Sequence, residues 1–213
     1  MKKTVRLICV CLSLLAVALS FASCGRKLKI DVKTAKIYDT KSGIRYEYVP
    51  ANFVPKGVGT DVFATFEQNK VTVDYYEVEG LPAEEWLYSE LGELICSTGV
   101  DALPDFAGFG AKSVTVCYNT DLNFTFAEIG DPEQAKAVAE RFVSGPEVQP
   151  DVYDHDTYKL LFSSDGYPAL YYQLWLIVTE EGSFIYDRFT GKYAEATDLF
   201  SDIVPAFSYE VHD

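Results

Sequence analysis

The 213-residue sequence predicts an α+β fold, a mostly antiparallel sheet with two main helices packed on it. Three observations lead there. Runs of β-branched and aromatic residues alternate with polar ones at the two-residue period of a strand, short turns join neighbouring runs, and two other segments space their apolar residues as a helix does. Strands joined by short turns pair antiparallel, and a minority of helices beside many strands favours α+β over a parallel α/β sheet.

Taken in order, Leu28-Lys29-Ile30-Asp31-Val32 alternates at strand period, and Ile44, Tyr46 and Tyr48 repeat the pattern until Pro50 and Pro55 end it. Gly57 to Thr60 reads as a loop. Val62 to Glu67 and Val71 to Val78 form a hairpin about Gln68-Asn69-Lys70. The first helix is expected after Gly80, with Pro82 in its first turn, Glu84 and Glu85 at the positive end of its dipole, and Gly99 as its stop. Its Leu87, Leu91, Leu94 and Ile95 share one side at helical spacing. Ser113 to Tyr118 and Asn123 to Ile129 are two more strands. Asp131-Pro132-Glu133-Gln134 then starts the second helix, in which Asp131 can accept from the Gln134 amide, and Ser144-Gly145-Pro146 ends it. Thr157 to Ser163, Ala169 to Thr179 and Phe184 to Phe189 complete the strands. Each helix precedes a hairpin, so the order suggests two related halves, 46–130 and 131–213, meeting near Gly130.

The first 23 residues read as an export signal: a basic start (Lys2, Lys3, Arg6), an uncharged apolar segment from Leu7 to Ala18, and small residues before Cys24. The apolar segment is shorter than the roughly 20 residues a membrane-spanning helix needs. Ser20-Phe21-Ala22-Ser23-Cys24-Gly25 resembles the lipobox of bacterial lipoproteins, with Phe21 where that family usually carries an aliphatic residue. The resemblance implies cleavage before Cys24, a diacylglyceryl thioether on its sulfur, and a place on the extracytoplasmic face of the cell membrane. Two acyl chains are what stable anchoring takes. The alternative is ordinary cleavage after Ala22, which leaves a free secreted protein.

Loss of 23 residues leaves 190, enough for one domain or two small ones with a core. The leader holds three basic residues and no acids, so the net charge of −14 becomes −17 in the mature chain. Such a balance excludes nucleic acid as a partner and general adhesion to anionic lipid. The charge is uneven. Seven basic residues against two acidic ones give Gly25 to Arg45 a net +5 and leave −22 for the rest. Residues 24–45 therefore read as a lipid anchor with a basic juxtamembrane segment attracted to anionic headgroups, and 46–213 as an acidic domain held off the bilayer.

Cys9 and Cys11 leave with the signal and Cys24 carries lipid, so Cys96 and Cys117 are the pair available for a disulfide. Closing their loop would stabilise by about 3 kcal/mol in the chain-entropy model. Two buried free thiols are the other outcome.

A search for catalytic motifs is mostly negative. His155 and His212 are the only histidines, and no nucleophile elbow, Ser-x-x-Lys, Cys-x-x-Cys or His-Glu-x-x-His occurs. Gly108 to Ser113 has the composition of a phosphate loop without its spacing, and no cofactor is expected. Asp151, Asp154 and Asp156 place oxygen ligands near one another and could hold calcium, but they lack the spacing, glycine and closing glutamate of an EF-hand; a solvated acidic loop is the plainer expectation. The richest surface candidate is Leu170 to Val178. At strand period Tyr171, Gln173 and Trp175 share a face that, if exposed, offers flat apolar surfaces and amide hydrogen bonds to a glycan or an extended peptide; a central strand buried on both faces accounts for the same run without a ligand.

Thr190-Gly191-Lys192 followed by Asp198-Leu199-Phe200 is similar to a fragment of extracytoplasmic anti-sigma and lysozyme-sensing domains of Gram-positive bacteria. The similarity covers about a dozen residues and implies a related fold only. The functional expectation is a non-catalytic, lipid-anchored binding or sensory lipoprotein whose ligand is an envelope protein, peptide or glycan. The competing classes are an envelope hydrolase working through two carboxylates and a purely structural envelope component.

Overall fold

The computed structural model describes residues 25–205 apart from 32, 35, 69, 121, 122 and 154. The expected signal, Cys24, Asp154 and His212 lie outside the described residues.

The chain is mostly β, and this corrects the α+β expectation. Fifteen strands and three helices are described, and only one helix is longer than four residues. β1 (Arg26–Asp31), β2 (Lys36–Asp39), β3 (Arg45–Tyr48), β8 (Leu94–Ser97), β7 (Trp86–Ser89), β6 (Val71–Val78) and β5 (Val58–Gln68) close in that order into a barrel. The parallel pair β1·β5 closes it, and the other pairs are antiparallel. Leu28, Ile37, Tyr46, Ala64, Val73, Tyr75, Leu87 and Ile95 fill the interior. A barrel this small is packed with side chains, not hollow.

The expected first helix is instead the β7–β8 hairpin. Ser89 N–H donates to Glu93 O at 2.8 Å, Gly92 N–H to Ser89 O at 3.0 Å, and Gly92 holds φ +85. Leu87 and Ile95 point into the barrel while Trp86, Leu94 and Cys96 point out into a second core. Both faces of these strands are buried, which removes the polar alternation that marks a strand. With a tight turn at Leu91-Gly92 in the middle, the apolar residues then fall at spacings of three and four by coincidence. The exposed position is Leu91, at the turn.

The second sheet runs β10 (Thr125–Ile129), β9 (Ser113–Tyr118), β12 (Asp156–Ser163), β13 (Leu170–Thr179), β14 (Gly182–Tyr186), β15 (Tyr193–Glu195) and β11 (Glu147–Val148). β4 (Phe53–Pro55), sent from between two barrel strands, pairs with the start of β13. Helix α1 (Phe106–Phe109), helix α2 (Pro132–Ser144) and helix α3 (Thr197–Phe200) contribute Phe106, Phe109, Ala135, Val138, Phe142 and Phe200 to one core. That core unites the outer wall of β7–β8 with Val114, Val116, Leu160, Phe162, Leu174 and Leu176 of the sheet. α2 begins where the sequence places it, but its Asp131 cap accepts from the Glu133 amide at 2.9 Å.

Arg26–Asp31, Lys36–Asp39 and Arg45 belong to β1, β2 and β3, so most of the basic residues of the segment stand on the barrel wall. The barrel strands run to Ser97 and, apart from β4, the strands of the second sheet follow from Ser113. None of the described helices is long and apolar enough to cross a membrane.

Candidate binding face

One face of the second sheet carries the helices, α1 to α3, and among the described residues no helix packs on the other. Strand alternation dictates what that second face shows. On β13, Tyr172, Leu174, Leu176 and Val178 enter the core, which turns Tyr171, Gln173, Trp175 and Ile177 the other way. Cross-strand register then builds rows. Cys117, Lys159, Trp175, Tyr186 and Tyr193 align across five strands, and Thr115, Leu161 and Gln173 form the row beside them.

The structure thus brings Tyr171, Gln173 and Trp175 to one face but gives them different roles. Trp175 is 8% exposed and packs edge-on against Phe189 at 6.0 Å, so it is a buried support. Tyr171 and Gln173 are half-buried. The Lys56 ammonium sits 4.9 Å from the Tyr171 ring centroid, a cation–π contact. Burial, with Cys117 and Glu128 nearby, pushes the Tyr171 hydroxyl above its ordinary pKa. At the far end, Tyr186 and Tyr193 stack at 4.2 Å. Lys159 Nζ is held at the margin by Thr120 O at 2.6 Å and Asn123 Oδ1 at 3.2 Å.

Asn52 and Asp187 support this face, and neither was singled out from the sequence. Both are about 5% exposed. Asn52 sits where β4 and β14 meet along the same edge of β13: its carbonyl accepts from Gln173 N–H at 2.6 Å and its amide donates to Gln173 O at 3.2 Å. The same amide donates to Asp187 Oδ1 at 3.2 Å, and that oxygen also accepts from Phe189 N–H at 2.9 Å. Asp187 N–H reaches Lys192 O while Gly191, at φ +76, returns its N–H to Asp187 O, which closes the turn that presents Phe189. An aspartate two residues before the amide it accepts is the Asx-turn signal, legible in Asp187-Arg188-Phe189-Thr190-Gly191. The Thr190-Gly191-Lys192 fragment is therefore part of this turn, and Phe200, fully buried, carries the second fragment into the core.

Of the other sequence candidates, Cys117 alone lies on this face, buried within its row. Asp151 is exposed and accepts from Tyr153 N–H at 3.1 Å, Asp156 is exposed at the start of β12, and Asp154 lies outside the described residues. Among the described residues no group of three His, Cys, Asp or Glu could hold a metal ion. Cys96 and Cys117 are free, buried thiols; Cys96 belongs to the core between barrel and sheet, and Cys117 to the Trp175 face, so the two stand on different sides of the second sheet. Lys112 of the glycine-rich run is bound to Asp165 at 2.9 Å.

In three comparisons with known proteins, no family model, no curated protein and no solved structure matches this chain.

Proposed function

We propose that the chain is a lipid-anchored binding or sensory lipoprotein of the extracytoplasmic face, attached through Cys24, which works without catalysis and uses the Tyr171, Gln173 and Trp175 face to hold a glycan or an extended peptide. The observation that carries the site is that face itself: a sheet face without a packed helix among the described residues, on which the partly exposed Tyr171, Gln173, Tyr186 and Tyr193 stand in rows beside the buried Trp175 and Leu161. Stacking area with few rotatable bonds and amide hydrogen bonding suit sugar rings and peptide backbone.

Two measurements test the proposal. Intact mass of the membrane fraction is expected to show loss of residues 1–23 and gain of a diacylglyceryl group; an unmodified N-terminus at Ser23 overturns the anchor. Peptidoglycan fragments and envelope proteins offered to the immobilised mature chain are expected to be held without turnover, and Tyr171→Ala or Gln173→Ala to release them. Cleavage of a held glycan or peptide, abolished by changing one Asp or Glu, overturns the non-catalytic assignment. Retention of neither class favours a structural envelope component.

A further inference from the structure

We propose that the outer face of β1, β2 and β3 is a docking surface for an anionic lipid bilayer, so that the barrel lies against the membrane and the second sheet faces away. This rests on the anchored reading for its orientation, while the affinity of the face is measurable without the anchor.

Strand alternation creates the surface. Leu28, Ile37 and Tyr46 point into the barrel, which turns Lys27, Lys29, Lys36, Tyr38 and Arg45 outward. Lys29, Tyr38 and Arg45 are direct cross-strand neighbours, a cation on either side of a half-exposed phenol. Tyr38, Arg45 and Lys36 also line a cleft of about 430 Å³ with Ile30, Asp31 and Gly43. Lys27 is paired with Glu67 at 3.6 Å and Lys36 with Glu47 at 3.1 Å. Lys29, Lys33, Lys41 and Arg45, all exposed, make no ion pair within 4.0 Å among the described residues. Arg45 is near enough to the Asp31 carboxylate in the same cleft to act on it, while Lys29, Lys33 and Lys41 have no such partner among the ion pairs, so the face keeps an excess of cations.

Three facts select the occupant. The segment carrying this face has a net charge of +5 and the remainder of the mature chain −22, so an anionic surface is attracted on this side and repelled on the others. β1 starts at Arg26, which leaves Gly25 as the only residue between the strand and the proposed lipid-bearing Cys24. One residue spans at most about 3.6 Å, well inside the roughly 8 to 10 Å over which surface charges act at physiological salt. A tyrosine among cations is also suited to the headgroup layer, where amphipathic rings sit.

The test uses the mature chain, residues 24–213, with Cys24→Ser so that no lipid can be attached; it contains every described element. Cosedimentation is measured with vesicles of phosphatidylcholine alone and of phosphatidylcholine with an equal part of phosphatidylglycerol, at low and at physiological salt. Binding is expected only to the anionic vesicles, to fall with salt, and to weaken about tenfold or more when Lys29→Glu and Arg45→Glu are combined. Lys112→Glu with Lys136→Glu, the same charge change on the second sheet and α2, is expected to weaken it far less. Absence of binding to anionic vesicles at low salt, equal binding to both vesicles, or equal loss in the two double variants overturns the proposal. A chain found without lipid by mass that still binds through Lys29 and Arg45 would sink the anchor and leave the docking face standing.

Discussion

Asn52 Nδ2 donates to Asp187 Oδ1 at 3.2 Å, joining residues 135 positions apart across the junction between the barrel's β4 excursion and the far end of the second sheet. The contact closes a bridge in which the Asn52 backbone and side chain hold Gln173 and the Asp187 carboxylate holds the Phe189 turn. Both side chains are buried, so neither regains water as a partner if the other is removed. Asn52→Ala is expected to destabilise the protein by about 1 to 3 kcal/mol, the cost of a buried group left without its hydrogen bond. Chemical denaturation measures it, and a change within a few tenths would show that the bridge contributes little.

Gly92 discriminates the hairpin from a helix. At φ +85, Gly92→Ala is expected to cost about 1 kcal/mol or more, whereas in an exposed helix the same change would stabilise by a similar amount. Leu87→Ala, deep in the barrel, is expected to cost about 2 to 5 kcal/mol and Leu91→Ala, at the exposed turn, under about 0.5. Thermal melts of the three variants decide between the two structures.

Trp175→Ala is expected to remove about 3 to 5 kcal/mol of stability, because the ring is buried beneath Phe189. Tyr171→Ala and Gln173→Ala, half-exposed, are expected to melt near the parent and to lose ligand. A Trp175→Ala variant with unchanged melting would return that ring to direct ligand contact.

Alkaline pH is expected to destabilise the fold through its buried tyrosines. Burial, with Asp39 close by, pushes Tyr46 up to about 12, and burial with Asp187 and Asp105 does the same for Tyr172. A tyrosine raised in the folded state contributes stability that is complete below its unfolded value of about 10 and is lost as pH climbs through the folded value. Stability should hold to about pH 10 and fall between about 10 and 12. Tyr46→Phe gives up the 3.0 Å hydrogen bond to Glu84 O, worth about 1 kcal/mol, but should flatten this fall. An unaltered slope would show that Tyr46 does not ionise in that window.

The two thiols supply a fifth test. Burial raises both, with Glu47 adding to the effect at Cys96 and Lys159 opposing it at Cys117. In the mature Cys24→Ser chain, neither is expected to react with a thiol reagent at neutral pH until the protein is unfolded, when both should. Recovery of fewer than two thiols on unfolding under non-reducing conditions would point to a disulfide.

Much of the strand pattern was legible because it rests on local chemistry. The β5–β6 and β9–β10 hairpins, β12 to β14 and the Asp131 cap of α2 follow from alternation, turn residues and capping, each of which needs only near neighbours in sequence. The shared face of Tyr171, Gln173 and Trp175 is fixed by strand period alone. What surrounds a strand is not local. β7 and β8 were hidden because the barrel interior buries Leu87 and Ile95 while a second core buries Trp86 and Leu94, and a strand buried on both sides loses its polar rhythm. The alternation of Leu28 to Val32 marked a strand at the start of the basic run, but its parallel pairing with β5, which makes it barrel wall, is long-range and left no local sign. Asn52 and Asp187 stand alone in sequence as ordinary loop polars, and only the meeting of β4 and β14 along β13 buries them together. Long-range pairing decides which side chains lose water, and that loss gives a tryptophan the role of support, a half-exposed tyrosine the role of contact, and an asparagine the role of bridge.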